Sequence, residues 1–181
     1  MLIVFGGLPG SGKTTISRAV ALRRAATYLR IDTIEQAIRA TGVLAGDIGP
    51  AGYDVANRLA EDNLVDGSIV VVDCVNPVDE SRRGWRSVAA RSGAGLIEVE
   101  VVCSDPMEHR RRVEGRIPDI EGLKPPTWTS VMSHDYEIWH EPHLVLDTAR
   151  LPPEDTIAIV ERHIVDMAGI KTAPPPESGG T

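Results

Sequence analysis

The chain has 181 residues, enough for one domain with a sizeable core and too few for a second catalytic domain. Its hydrophobic content is 42% with only 4% aromatic residues, an aliphatic balance that excludes disorder over the whole length and suits a parallel α/β core. The formal net charge of −7 excludes a broad duplex-binding surface, so any contact with nucleic acid would have to be local.

The first apolar run, "LIVF" (2–5), reads as a buried strand, and "GLPGSGKT" follows it directly at 7–14. This matches G-x-x-x-x-G-K-[ST], with Gly7, Gly12, Lys13 and Thr14 at the fixed places, ahead of a helix expected from Lys13 to about Arg24. Glycines let successive backbone N–H groups converge on one spot, and a helix N-terminus adds its positive dipole end. Leu8, Pro9, Gly10, Ser11, Gly12, Lys13, Thr14 and Thr15 are therefore expected to wrap a polyphosphate, with Lys13 on the β and γ phosphates and the Thr14 hydroxyl on Mg²⁺. Only three lysines occur in the chain, and one of them lies here.

A second strand, "TYLRI" (27–31), ends at Asp32, which parallel strand ends would bring to the phosphate crevice. Asp32 is the candidate base for an acceptor hydroxyl, although Asp32 with Glu35 also resembles a capping pair for the next helix. The glycine-bearing stretch 40–54 reads as a loop beside the acceptor side, and periodicity places a helix over 51–65. The third strand, "SIVVVDC" (68–74), supplies Asp73 as a second Mg²⁺ ligand; in "NPVDE", Asn76 is expected to cap a helix with Pro77 at its first position.

The fourth strand, "LIEVEVVC" (96–103), precedes "DPMEHRRRVEGR", where Asp105 and Pro106 start a helix. Arg112 and Arg116 share a face of it, with His109 three residues before Arg112, and are candidates for contacting the transferred phosphoryl group. Residues 105–126 suit a mobile lid. Trp128, Tyr136 and Trp139 either stack on a ligand or close the core, and His134 and His140 read as surface residues. The fifth strand is "HLVLD" (143–147); residues 1–170 form one domain and 171–181 a flexible tail. Cys74 and Cys103 lie in aliphatic runs as small core residues. The start of the chain carries no basic, apolar or cleavage signal, so a cytoplasmic location without membrane contact is expected.

The lysine positions exclude the N/T-K-x-D element of guanine-specific switches, and the length excludes motor ATPases. What remains is a small phosphotransferase. The succession "GLPGSGKT", "RID", "VVVDCVNP" and "DP" followed by arginines four apart resembles the small P-loop kinases that include the 5′-kinase domain of polynucleotide kinase, chloramphenicol phosphotransferase and zeta-toxin-like kinases. The resemblance covers about residues 1–150. It implies a five-stranded parallel sheet in the order 2-3-1-4-5, Asp32 as general base, and Arg112 and Arg116 as lid arginines. That order keeps Cys74 and Cys103 unpaired, on strands ~10 Å apart. Where polynucleotide kinases carry an arginine three residues after the catalytic acid, this chain has Glu35, which disfavours a phosphorylated acceptor. The expectation is an ATP- and Mg²⁺-dependent kinase of a small-molecule hydroxyl. A polynucleotide 5′-hydroxyl kinase and a nucleotide-binding regulatory protein without transfer activity are the alternatives.

Overall fold

Five parallel strands account for the aliphatic runs. The computed structural model describes residues 1–43 and 46–169. The strands are β1 (Leu2–Gly6), β2 (Thr27–Arg30), β3 (Val70–Asp73), β4 (Leu96–Val102) and β5 (Leu144–Asp147), in the expected order β2-β3-β1-β4-β5. The helices are α1 (Lys13–Arg23), α2 (Ile31–Ala40), α3 (Ala51–Val65), α4 (Asp79–Arg91), α5 (Pro106–Glu114), α6 (Trp128–Met132) and α7 (Pro153–Met167). Central β1 pairs with β3 from Leu2↔Val70 to Phe5↔Asp73, and with β4 from Leu2↔Leu96 onward.

Because strand side chains alternate, β1 feeds both faces. Ile3 and Phe5 pack with Ile16, Val20, Ile157 and Val160 of α1 and α7. Leu2 and Val4 pack with Ala56, Ala60, Trp85 and Val88 of α3 and α4. Each such aliphatic side chain contributes about 1.5–3 kcal/mol when fully buried, which is why a continuously apolar β1 can only be a central strand. The helix expected at 51–65 is present; Gly52, Ala56, Ala60 and Leu64 recur every four residues along its buried face. Gly52 lets α3 close on α2, since a Cβ there would meet Glu35 Cγ at 2.4 Å.

Asp105 caps α5 as expected, accepting from the Met107 and Glu108 N–H groups at 2.9 and 3.2 Å. Two other capping expectations are corrected. Asp32 lies inside α2 as its second residue, and neither it nor Glu35 caps the helix, whose N-cap position is Arg30. Asn76 does not start α4, which begins at Asp79 after Val78; Asn76 sits in the left-handed region (φ 53°), fully buried. The cause lies six residues on. The buried Arg82 guanidinium donates to the carbonyls of Asn76, Pro77, Glu137 and Ile138 at 2.6–3.2 Å, so residues 76–77 are drawn into a loop clamped against the segment before β5.

Arg82 also explains the aromatic residues. Its guanidinium lies 4.6 Å above the Trp139 ring and 5.7 Å from that of Tyr136, and Trp139 covers Gly6, where a Cβ would come within 2.5 Å of the ring. Trp139 and Tyr136 therefore close the core. His134 and His140 are exposed, as expected. Both cysteines are free; Cys74 is buried, whereas Cys103, past the end of β4, is half-exposed and is no core residue. Of the stretch 40–54, residues 51–54 already belong to α3 and 44–45 lie outside the described residues, as does the expected tail 171–181. Among the described residues no helix is long and apolar enough to cross a membrane.

Candidate active site

All five strands run the same way, so the loops after their C-terminal ends gather at one edge of the sheet. There β1 passes into residues 7–12, and α1 starts at Lys13 with Gly12 as its N-cap. Two glycines are demanded by space as well as by backbone angle. At Gly7 (φ 142°) a Cβ would lie 2.2 Å from the Val101 carbonyl oxygen, and at Gly10 (φ 85°) 2.6 Å from Val113 Cγ2.

The loop carbonyls are held from outside. His109 Nε2 donates to the Pro9 carbonyl at 2.8 Å, and Thr148 Oγ1 donates to the Ser11 carbonyl at 2.7 Å. In a trans peptide the C=O and the next N–H point opposite ways, so the Gly10 and Gly12 N–H groups face away from these braces. Both residues line a cleft of about 460 Å³. His109, buried and edge-on to Trp128 at 5.2 Å, thus supports the loop rather than a ligand. His109→Ala should lower stability by about 1–3 kcal/mol, the cost of an orphaned buried carbonyl, and weaken nucleotide binding. Thermal unfolding with and without ATP measures both effects, and two unchanged midpoints would show that the loop does not depend on this brace.

The cleft is cationic. Lys13, Arg30, Arg111, Arg112 and Arg116 line it with a single carboxylate, Asp119. Lys13 is 6% exposed as a residue and forms no ion pair among the described residues, whereas Asp32 and Asp73 are both within ion-pair distance of arginines. A cation that lines the cleft with no carboxylate paired to it is placed to receive an anion.

Asp73 ends β3 opposite Phe5 and is 2% exposed. Tyr28 donates to its Oδ2 at 2.8 Å; burial, then the neighbouring Asp73, push that phenol far above its ordinary range, so it remains a donor. Thr14 lies in the first turn of α1, which packs against β3. A hydroxyl and a carboxylate are hard oxygen donors that fit Mg²⁺. Among the described residues no group of three or more acids, histidines or cysteines could hold a metal ion.

Asp32 stands where the crevice changes character. Its Oδ2 is 3.8 Å from Arg30 and 3.8 Å from Arg116, so these side chains share one site. Arg112 is placed differently: it donates to Glu108 Oε1 at 2.7 Å and to Thr148 Oγ1 and O at 2.7 and 3.1 Å, between the cleft and a side pocket of about 190 Å³ lined also by Ile16, Leu151 and Pro153. Hydrogen bonds from Arg111 and Arg112 hold the Glu108 carboxyl down to about 2. Glu35, on the same helix as Asp32, and Tyr53 line a pocket of about 390 Å³ that also carries Asp54 and Glu80 and, among the described residues, no basic residue. Burial pushes the Glu35 carboxyl up, against the opposing pull of Arg39.

Sequence reasoning missed Arg30, Tyr28, Asp119 and Thr148. One signal was available: Tyr28 and Arg30 are two apart on β2, hence on one face of the strand that ends beside Asp73.

Residues 2–121 match a family model described as an AAA domain (AAA_33). The chain belongs to this family. It is 28% identical to the adenylyl-sulfate kinase of Geotalea uraniireducens, over 91% of this chain and 80% of that protein. In fold it resembles a sugar kinase from Janibacter sp. HTCC2649 (TM-score 0.68, 20% identity, 95% of this chain and 98% of that one). It also resembles the APS kinase of Mycobacterium tuberculosis solved with AMPPNP and APS (TM-score 0.60, 23% identity, 88% and 95%). The chain is a small P-loop kinase, a phosphotransferase with a hydroxyl acceptor.

Proposed function

We propose that this P-loop kinase uses Mg²⁺-ATP to phosphorylate a hydroxyl group of a small, uncharged or cationic acceptor. Lys13 supports this most directly: a cation that forms no ion pair among the described residues, lining a cleft that it shares with four arginines and a single carboxylate.

The N–H groups of the loop and Lys13 would hold the β and γ phosphates, while the 190 Å³ side pocket under Arg112 would take the nucleoside. Mg²⁺, held through Thr14 and Asp73, would neutralise charge on the β and γ oxygens. Asp32 would take the proton of the acceptor hydroxyl. As that oxygen bonds to the γ-phosphorus, the bond from phosphorus to the β–γ bridging oxygen breaks, and ADP leaves with the bond's electron pair. Arg116 would stabilise the transferring group, and the stretch 105–126 would close over it as a lid.

The acceptor side argues against an anionic substrate. Asp54 and Glu80, and Glu35 as far as its Arg39 partner at 3.1 Å leaves it charged, would disfavour the phosphate–sulfate group of adenylyl sulfate or a nucleic-acid backbone, since no basic residue lines the pocket among the described residues. The deciding experiment follows labelled γ-phosphate from Mg²⁺-ATP onto neutral sugars, hydroxylated amines, adenylyl sulfate, a 5′-hydroxyl oligonucleotide and water. Label on a neutral or amine-bearing hydroxyl compound is the expected result. Label on adenylyl sulfate or on the oligonucleotide alone would overturn the acceptor class, and ATP bound but never turned over would point to a regulatory protein.

A further inference from the structure

Arg30 is 5% exposed, yet it lines the phosphate cleft, and its Nε is a fully buried donor without a hydrogen-bond partner among the described residues. It stands between the two acids that bracket phosphoryl transfer, with Nε 3.8 Å from Asp73 Oδ2 and Nη2 3.8 Å from Asp32 Oδ2. A guanidinium at that junction lies on the path from the nucleotide to the acceptor. Its fork is already engaged as it would be by two phosphoryl oxygens: Asp119, from the stretch after α5, accepts from Nη1 at 2.6 Å and from Nη2 at 3.0 Å. Two further arginines converge on the same carboxylate, Arg18 of α1 and Arg116, each at 3.9 Å. Three guanidinium groups from three separate parts of the chain, around one half-exposed carboxylate, form an anion site rather than a simple pair. The carboxyl of Asp119 is accordingly held below its usual range, first by the hydrogen bonds from Arg30.

We infer that Arg30 is a catalytic residue that grips the γ-phosphoryl group during transfer, and that Asp119 is a built-in carboxylate occupying this anion site until the nucleotide displaces it. The inference rests on the Mg²⁺-ATP phosphotransfer proposed above. It predicts discrimination between nucleotides: ATP, whose γ-phosphate must evict Asp119, binds against a competitor that ADP never meets.

The test compares wild type, Asp119→Asn, Arg30→Lys and the double variant by calorimetric affinities for Mg²⁺-ATP and Mg²⁺-ADP, turnover of ATP to water, and thermal midpoints; none of these needs the acceptor. Asp119→Asn should bind ATP roughly three- to tenfold more tightly, with ADP affinity unchanged. Arg30→Lys keeps the charge but loses the fork, and turnover should fall roughly 100-fold with ADP affinity unchanged. In the double variant the gain in ATP affinity should vanish, because the two residues act through one contact. An unchanged ratio of ATP to ADP affinity in Asp119→Asn overturns the inference, even if Arg30→Lys fails to fold. So do Arg30→Lys turnover near wild type and a shift confined to the thermal midpoints. A wild-type chain that binds no ATP would overturn the kinase reading as well.

Discussion

Lys13→Ala should remove nucleotide binding. The lysine is the first residue of α1 and 6% exposed, in a cleft where arginines have claimed the neighbouring carboxylates. In the free protein it forms no ion pair among the described residues, so removing it should cost the fold little. In the nucleotide complex the same charge would meet the β and γ phosphates out of bulk water, where truncating one partner of a charge pair costs about 2–5 kcal/mol, a loss of roughly 30- to several-thousand-fold in affinity. Calorimetric titration with Mg²⁺-ATP reads the loss, and the thermal midpoint of the free protein should hold or rise. Unchanged affinity would sink the phosphate-loop assignment. A collapse of the free fold would mean that Lys13 has a structural partner.

Asp32→Asn should do the opposite, sparing ATP binding and suppressing transfer. Asparagine keeps the shape of the side chain but cannot take the acceptor's proton, and loss of a positioned base costs roughly 100- to 10,000-fold in turnover. Because Asp32 caps nothing in α2, the substitution removes no cap bond, and the thermal midpoint should move little. Stopped-flow or quench measurements of γ-phosphate transfer to the acceptor found in the panel give the rate. Turnover close to wild type would assign Asp32 only to holding Arg30 and Arg116 in place, 3.8 Å from each.

Both expectations trace to features legible in the order of residues alone. "GLPGSGKT" sits between an apolar run and a helical pattern, and its chemistry depends on backbone geometry that glycine spacing dictates locally. The five strands were legible because continuous aliphatic runs separated by helix-length spacers have few other solutions, and Asp73 followed from ending one of them. Sequence alone thus determined the architecture, the phosphate-loop motif and the place of Asp73 at a strand end, whereas Asp32, read as ending the second strand, lies one residue inside α2.

Side-chain partnership was decided elsewhere. Asn76 carries a strong local capping signal, yet Arg82 claimed its carbonyl and that of Pro77 and turned the pair into a buried loop. Arg112 and Arg116 read as sharing a helix face, but α5 ends at Glu114, so Arg116 lies beyond the helix and reaches Asp32 while Thr148 holds Arg112 beside the side pocket. Arg30 and Asp119 are 89 residues apart, and only the placement of β2 at the sheet edge beneath the stretch after α5 brings them together. Backbone conformation follows from neighbours a few residues away, because steric limits and local hydrogen bonds act at that range. A buried charge is settled by whichever opposite charge or carbonyl the completed fold delivers to it, so the division of labour among the arginines belongs to the tertiary structure.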